Sequence, residues 1–131
     1  MSEQEAESYH RDQVEVFAGT AADMVCAITM NYVEEAIGIT RAAQRTGMPV
    51  AISFTVETDG NLPTGQPLKE AIEEVDKTTA GYPRYFMINC AHPTHFRDVL
   101  TEGGVWVDSD SWAPCERFAK EPRRVERVSG T

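Results

Sequence analysis

The chain has 131 residues, the size of one ordinary domain, and a formal net charge of −9 at pH 7. The whole acidic excess lies before Gly103, which argues against a nucleic-acid or anionic-membrane partner, since either would require a basic face. The apolar runs are too short to cross a bilayer and the first residues are acidic, unlike a signal peptide, so we expect a cytoplasmic protein.

Helical and strand patterns alternate from the first residues onward. The segment 2–19 begins with a serine before acids, carries apolar residues at helical spacing and ends at a glycine, which predicts a first helix. The apolar run 23–29 predicts a buried strand. The segment 31–47 predicts a second helix, with Asn31 as its N-cap and Gly47 as its C-terminal stop.

The alternation continues through a second and a third strand. The run 48–56 is almost continuously apolar, which is typical of a strand buried on both faces of a parallel sheet. A loop dense in turn formers then leads to a helix at 68–78, and the third strand follows at 84–90. A short helix is predicted from Thr94 to the glycine pair at 103–104.

This order of elements predicts an α/β fold with three adjacent parallel strands in chain order and with their connecting helices on one side. After Gly103 the pattern is lost, so we predict a domain over residues 1–102 and an irregular, poorly structured tail over 103–131. Three strands alone leave unpaired edges and apolar faces in water. We therefore expect the isolated chain to be marginally stable and prone to aggregate.

Cys90 ends the third predicted strand, where reactive groups of α/β proteins collect. The chain has three cysteines, which cannot all pair within it, and a cytoplasmic protein seldom forms disulfides. Cys90 thus has three interpretations: a buried small apolar residue, a nucleophile, or a zinc ligand together with His92 and His95. The Cys-x-His-x-x-His spacing differs from the usual pairs of structural zinc sites, which weakens the last of these.

Three segments in order, VCAITMNYVEEAIGI, PVAISFTVETDGNLPTGQPLKEAI and YFMINCAHPTHF, resemble the homocysteine S-methyltransferase family. The resemblance covers roughly residues 5–102 and implies three central βα units, the fourth to sixth, of a (β/α)₈ TIM barrel. It also implies zinc as cofactor and a reaction in which a methyl donor transfers its methyl group to the thiol of homocysteine, giving methionine. Asn89-Cys90 matches the family's Asn-Cys pair, so Cys90 is the implied metal ligand.

The resemblance also implies Thr29 and Asn89 as substrate-binding residues. Many members of the family carry an acidic residue just after the strand equivalent to 23–29 that contacts the homocysteine amino group, and this chain has Ile28-Thr29 there instead. The family's Gly-Gly-Cys-Cys motif, which supplies the other two zinc cysteines, does not occur: Gly103-Gly104 is followed by Val105, and Cys115 stands alone. We therefore expect the chain to be inactive by itself.

Two alternatives remain open from the sequence. In the first, the chain is a binding fragment of a split barrel that a partner chain completes with the missing strands. In the second, it is a small flavodoxin-like domain that binds an unrelated ligand at its strand ends.

Overall fold

The computed structural model describes residues 1–89 and 91–92, together with the backbone of two strands, 105–107 and 115–120. The described elements in chain order are α1 (Glu3–Ala18), β1 (Val25–Met30), α2 (Val33–Thr46), β2 (Val50–Thr55), α3 (Leu68–Thr78), β3 (Tyr85–Asn89), β4 (Val105–Val107) and β5 (Cys115–Lys120). The helix predicted from Thr94 lies outside the described residues, as do Cys90 and His95.

The strands form one sheet in the order β1-β2-β3-β5-β4. β1 pairs with β2 and β2 with β3, both in parallel, which confirms the three adjacent parallel strands predicted in chain order. The connecting helices α2 and α3 contact each other, and the side chain of Gln44 on α2 donates to the carbonyl of Thr79, the C-cap residue of α3, at 2.9 Å. Both helices therefore cover the same face of the sheet, as predicted.

Two short strands lie in the segment for which the sequence predicted little structure. β5 pairs antiparallel with β3, and β4 pairs antiparallel with β5. The far edge of β3 is thus paired, and β1 and β4 form the two edges of the described sheet. A domain boundary after residue 102 stays a prediction.

The core lies between the parallel strands and the helices. Alternate residues of β2, among them Ile52 and Phe54, are fully buried beside Phe86 of β3, and the rings of Phe54 and Phe86 stack with their centroids 6.1 Å apart. The residues between them on β2, Ala51 and Ser53, are also fully buried. β2 is therefore buried on both faces, as its apolar run predicted.

The first strand is buried only in part: Ala27 and Met30 belong to the core, but the predicted burial on both faces is wrong. In the described part of the sheet β1 is an edge strand with β2 as its one neighbour, and Cys26, Ile28 and Thr29 are exposed. A continuous apolar run cannot by itself distinguish a central strand from an edge strand, because the pairing partners are supplied by residues elsewhere in the chain.

The helix ends follow local rules, with one correction. Ser2 and Glu5 form a reciprocal capping box at the start of α1, and Gly47 ends α2 in the left-handed conformation with φ 72°. The N-cap of α2 is Tyr32 and not Asn31 as predicted, and its side chain makes no capping hydrogen bond. The helix begins one residue later because the extended backbone after β1 continues through Tyr32.

Helix α1 packs closely against α2 at Gly38. A Cβ atom at Gly38 would lie 2.4 Å from the Cβ of Ala6 and 2.6 Å from the backbone nitrogen of Glu7. Ion pairs flank this contact: Arg41 binds Glu3 at 2.6 Å, and Arg45 binds the buried carboxylate of Glu7. The two helices are therefore held together by a close backbone approach that only glycine permits. None of the described helices is long and apolar enough to cross a membrane.

We predict that Gly38→Ala destabilises the protein by about 2 kcal/mol, because the clash with the backbone of α1 outweighs the better helix propensity of alanine. Gly19→Ala is the matched control, since a Cβ there meets its nearest neighbour at an ordinary 3.5 Å. Urea denaturation of both variants tests this prediction. Equal midpoints for Gly38→Ala and the parent chain would show that the α1–α2 contact is looser than described.

The exposed edge of β1 generates a second prediction. Ile28 is 57% exposed on a strand without a charged residue, and uncharged edge strands pair with other chains. We expect Ile28→Lys to reduce self-association, measured by light scattering, without lowering the denaturation midpoint. Val16→Lys on α1, where Val16 is 67% exposed, is the control, and an equal effect of both substitutions would exclude a special role of the edge.

Candidate functional site

The carboxyl ends of the three parallel strands meet at one edge of the sheet. The register places Thr55 of β2 beside Asn89 of β3, and Thr29 lies near the end of β1. Ligand sites of α/β proteins lie at such an edge. The two predicted substrate-binding residues, Thr29 and Asn89, are therefore brought together.

Asn89 joins all three strands through its side-chain amide. Its Oδ1 accepts a hydrogen bond from the backbone N–H of Thr29 at 3.1 Å and another from the hydroxyl of Ser53 at 2.7 Å. Its Nδ2 donates to the hydroxyl of Thr55 at 3.0 Å and, more weakly, to that of Thr29 at 3.5 Å. We call Thr29, Ser53, Thr55 and Asn89 the strand-end network.

The partners of Asn89 fix the orientation of its amide. The backbone N–H of Thr29 can only donate, so the atom facing it must be the carbonyl oxygen and not the NH₂ group. The carboxamide then uses two acceptor positions and two donor hydrogens, which is its full capacity. Asn89 is only 4% exposed. Its side chain therefore connects strands, and a ligand would meet Thr29 first.

Thr29 has an unusual backbone conformation. Its φ is 64°, in the left-handed region that β-branched residues rarely adopt, and the β1–β2 register shifts between Ala27 and Met30. This conformation costs about 1–2 kcal/mol. The bulge turns Thr29 out of the regular ladder, and the residue is exposed at the edge of the sheet.

Ser53 and Thr55 were not singled out from the sequence, although a signal was present. They are the two hydroxyl residues of an otherwise apolar strand, and their spacing of two puts them on one face. A buried hydroxyl requires a hydrogen-bond partner. A serine in the middle of an apolar strand therefore indicated a polar contact on a neighbouring strand. In the structure Ser53 is fully buried.

The end of β1 has a second polar cluster behind it. Burial, and then the charge of Glu35 and a hydrogen bond with it, raise the pKa of Tyr32 above its ordinary value. Glu35 also lies 3.1 Å from Nε2 of His10 on α1. Glu35 therefore links α2 to α1 through His10.

The described residues near the strand ends do not fit a zinc site. The network supplies hydroxyl groups and an amide, whereas zinc is bound by cysteine, histidine and carboxylate side chains. Within residues 1–89 and 91–92, no three His, Cys, Asp or Glu side chains lie close enough to hold a metal ion. His92 is exposed, and Cys90 and His95 lie outside the described residues. Cys115 pairs through its backbone with Asn89, the residue before Cys90 in the sequence.

These features define an α/β protein with a polar site at the carboxyl ends of its parallel strands. The model of the homocysteine S-methyltransferase family matches residues 1–122. The chain therefore belongs to the homocysteine S-methyltransferase family, as the resemblance indicated, and the match extends past residue 102 to include β4 and β5. Comparisons with curated proteins and with solved structures gave no match.

We predict that Asn89→Ala lowers the free energy of unfolding by about 3 kcal/mol, because it leaves the Thr29 N–H and the buried Ser53 hydroxyl without their acceptor. Asn31→Ala, at an exposed position, should change stability by less than about 0.5 kcal/mol. Chemical denaturation measures both. Similar midpoints for the two variants would contradict a joining role for Asn89.

Proposed function

We propose that this chain forms the homocysteine-binding part of a homocysteine S-methyltransferase barrel and does not transfer a methyl group by itself. The family reaction moves a methyl group from a donor to the thiol of homocysteine and gives methionine. The observation that carries the proposal is the strand-end network, which joins three adjacent parallel strands in a chain matched to this family over residues 1–122.

Thr29 is the proposed contact with homocysteine. Its hydroxyl accepts from Nδ2 of Asn89, so its own hydrogen remains to be donated to an acceptor on the ligand. The carboxylate and the thiolate of homocysteine are such acceptors, whereas its ammonium group is not. The network can therefore donate to the carboxylate or the thiolate, and it contains no carboxylate that would pair with the ammonium group.

Asn89 takes part in substrate binding indirectly under this proposal. Its amide already makes four hydrogen bonds to three residues, and a ligand could replace one only by breaking such a bond. Asn89 thus supports the shape of the site while Thr29 contacts the substrate.

Cys90 is the proposed metal ligand of the completed site, but this chain lacks a full zinc set. Bound zinc would favour the thiolate form of homocysteine near neutral pH. A catalytic zinc site uses three protein ligands, and the chain has three cysteines. Cys26 lies opposite Ala51 in the β1–β2 ladder. It is therefore about 10 Å along the strand from Thr29 at the strand end. The chain lacks the Gly-Gly-Cys-Cys motif that carries the family's other two zinc cysteines, so under this proposal a partner supplies both of them.

A partner chain that completes a split barrel is the second candidate function. In a closed barrel every strand pairs on both sides, whereas β1 is an edge strand with Ile28 and Thr29 exposed. Among the described strands the outer edge of β1 has no partner, and a further strand would add there. The partner would bring strands and the missing cysteines together.

Binding of L-homocysteine tests the proposed function. We expect weak binding, detected by chemical-shift changes in the labelled chain, and about tenfold weaker binding to Thr29→Val, the loss expected for one hydrogen bond. Thr78→Val is the control, because Thr78 is exposed at the end of α3. Binding that is unaffected by Thr29→Val would contradict the role of Thr29.

Metal analysis tests the zinc proposal. We expect much less than one zinc per chain and no methylation of homocysteine by the purified chain, because metal affinity depends on the number of thiolate ligands. Zinc binding and methyl transfer should appear only when a partner supplies the missing cysteines. One tightly bound zinc, lost in a variant carrying Cys90→Ala and His92→Ala, would instead establish the local Cys-His-His site.

A further inference from the structure

The left-handed conformation of Thr29 requires an explanation. Threonine is branched at Cβ, and its side chain crowds the backbone when φ is positive. Thr29 is also exposed on an edge strand, so dense packing does not enforce its conformation. Other interactions must hold it.

Two hydrogen bonds from a neighbouring strand act on Thr29. Asn89 accepts from its backbone N–H at 3.1 Å and donates to its hydroxyl at 3.5 Å. The same amide therefore contacts Thr29 on both its backbone and its side chain. This double contact fixes the direction of the residue more firmly than one hydrogen bond would.

The strand between them holds Asn89 in turn. The hydroxyl of Ser53, which is fully buried, donates to Oδ1 at 2.7 Å, and the hydroxyl of Thr55 accepts from Nδ2 at 3.0 Å. These two contacts lie on opposite ends of the amide, so they oppose its rotation. Removing either one leaves the corresponding atom of a buried amide with its contact to Thr29 alone and so under-satisfied.

We propose that Ser53 and Thr55 are positioning residues, which act through Asn89 to hold Thr29 in the left-handed conformation and so prepare the site for its ligand. The part of this inference that concerns homocysteine rests on the function proposed above. The part that concerns the conformation of Thr29 rests on the geometry alone. A site prepared before binding loses less conformational freedom when the ligand arrives.

A double-mutant cycle with Ser53→Ala and Thr29→Gly tests the coupling. Glycine adopts positive φ without strain, so in Thr29→Gly the conformation of residue 29 does not depend on contacts with Asn89. We expect Ser53→Ala to lower the denaturation midpoint clearly in the parent chain and much less in the Thr29→Gly background. Additive effects of the two substitutions would overturn the inference, since residues that act as one unit are not additive.

Backbone chemical shifts at residue 29 give a readout that general destabilisation does not move. In Thr55→Val, which keeps the shape of the side chain but loses the hydroxyl, we expect these shifts to move toward extended values. Thr55→Ser should restore them, and Thr78→Val serves as the remote control. Shifts that stay left-handed in Thr55→Val, Ser53→Ala and Asn89→Ala would show that the network does not hold Thr29.

Homocysteine titration separates this inference from the proposed function. We expect Ser53→Ala to weaken binding about tenfold, as for the loss of one hydrogen bond. If residue 29 changes conformation as expected but not even the parent chain binds homocysteine, the positioning role stands and the proposed substrate is wrong. If the parent chain binds and Ser53→Ala binds equally well, the positioning role is wrong and the substrate stands.

Discussion

The buried amide of Asn89 is the contact on which the arrangement of the strand ends depends. Backbone hydrogen bonds align the three parallel strands along their length, but they do not determine how each strand ends. Asn89 reaches β1 through Thr29 and β2 through Ser53 and Thr55. A single side chain with a fixed orientation thus determines the relative positions of three polar groups at the edge where α/β proteins bind ligands.

The opposite face of the sheet provides the stability that this polar network requires. Ile52, Phe54 and Phe86 are fully buried in the core beneath the helices, and α1 is attached to α2 by the close contact at Gly38. The face that carries Ser53 and Asn89 is therefore free to be polar. Core residues and residues of the strand-end network therefore alternate along the same strands.

The sequence predicted the elements that depend on local patterns. Val33, Ile37 and Gly47 already mark the face and the end of α2, and the apolar run of β2 indicates a central strand. The exposure of Ile28 and the partner of Ser53 were not predicted, because each depends on which strand lies beside that residue. The N-cap at Tyr32 was not predicted because the extended backbone after β1 continues one residue further than the pattern indicates. Thr29 and Asn89 were identified only by resemblance to a family, and their contact with each other required the structure.

Family membership and geometry lead to one account of the chain's role. The family match covers residues 1–122, and the polar groups that the structure brings together are neutral donors and acceptors. Such a cluster can orient an amino acid, but it cannot replace the thiolates that a zinc site requires. Binding of the substrate and activation of its thiol are therefore separable tasks, and the proposed function includes only the first.

Hydrogen exchange of the Thr29 amide tests this account most directly. Thr29 is exposed on an edge strand, so its N–H would exchange rapidly with solvent unless it donates a hydrogen bond to Asn89. The account predicts that this amide is protected about as strongly as the amides of β2 and that Asn89→Ala abolishes the protection. Rapid exchange in the parent chain, while the amides of β2 stay protected, would contradict the central role of Asn89.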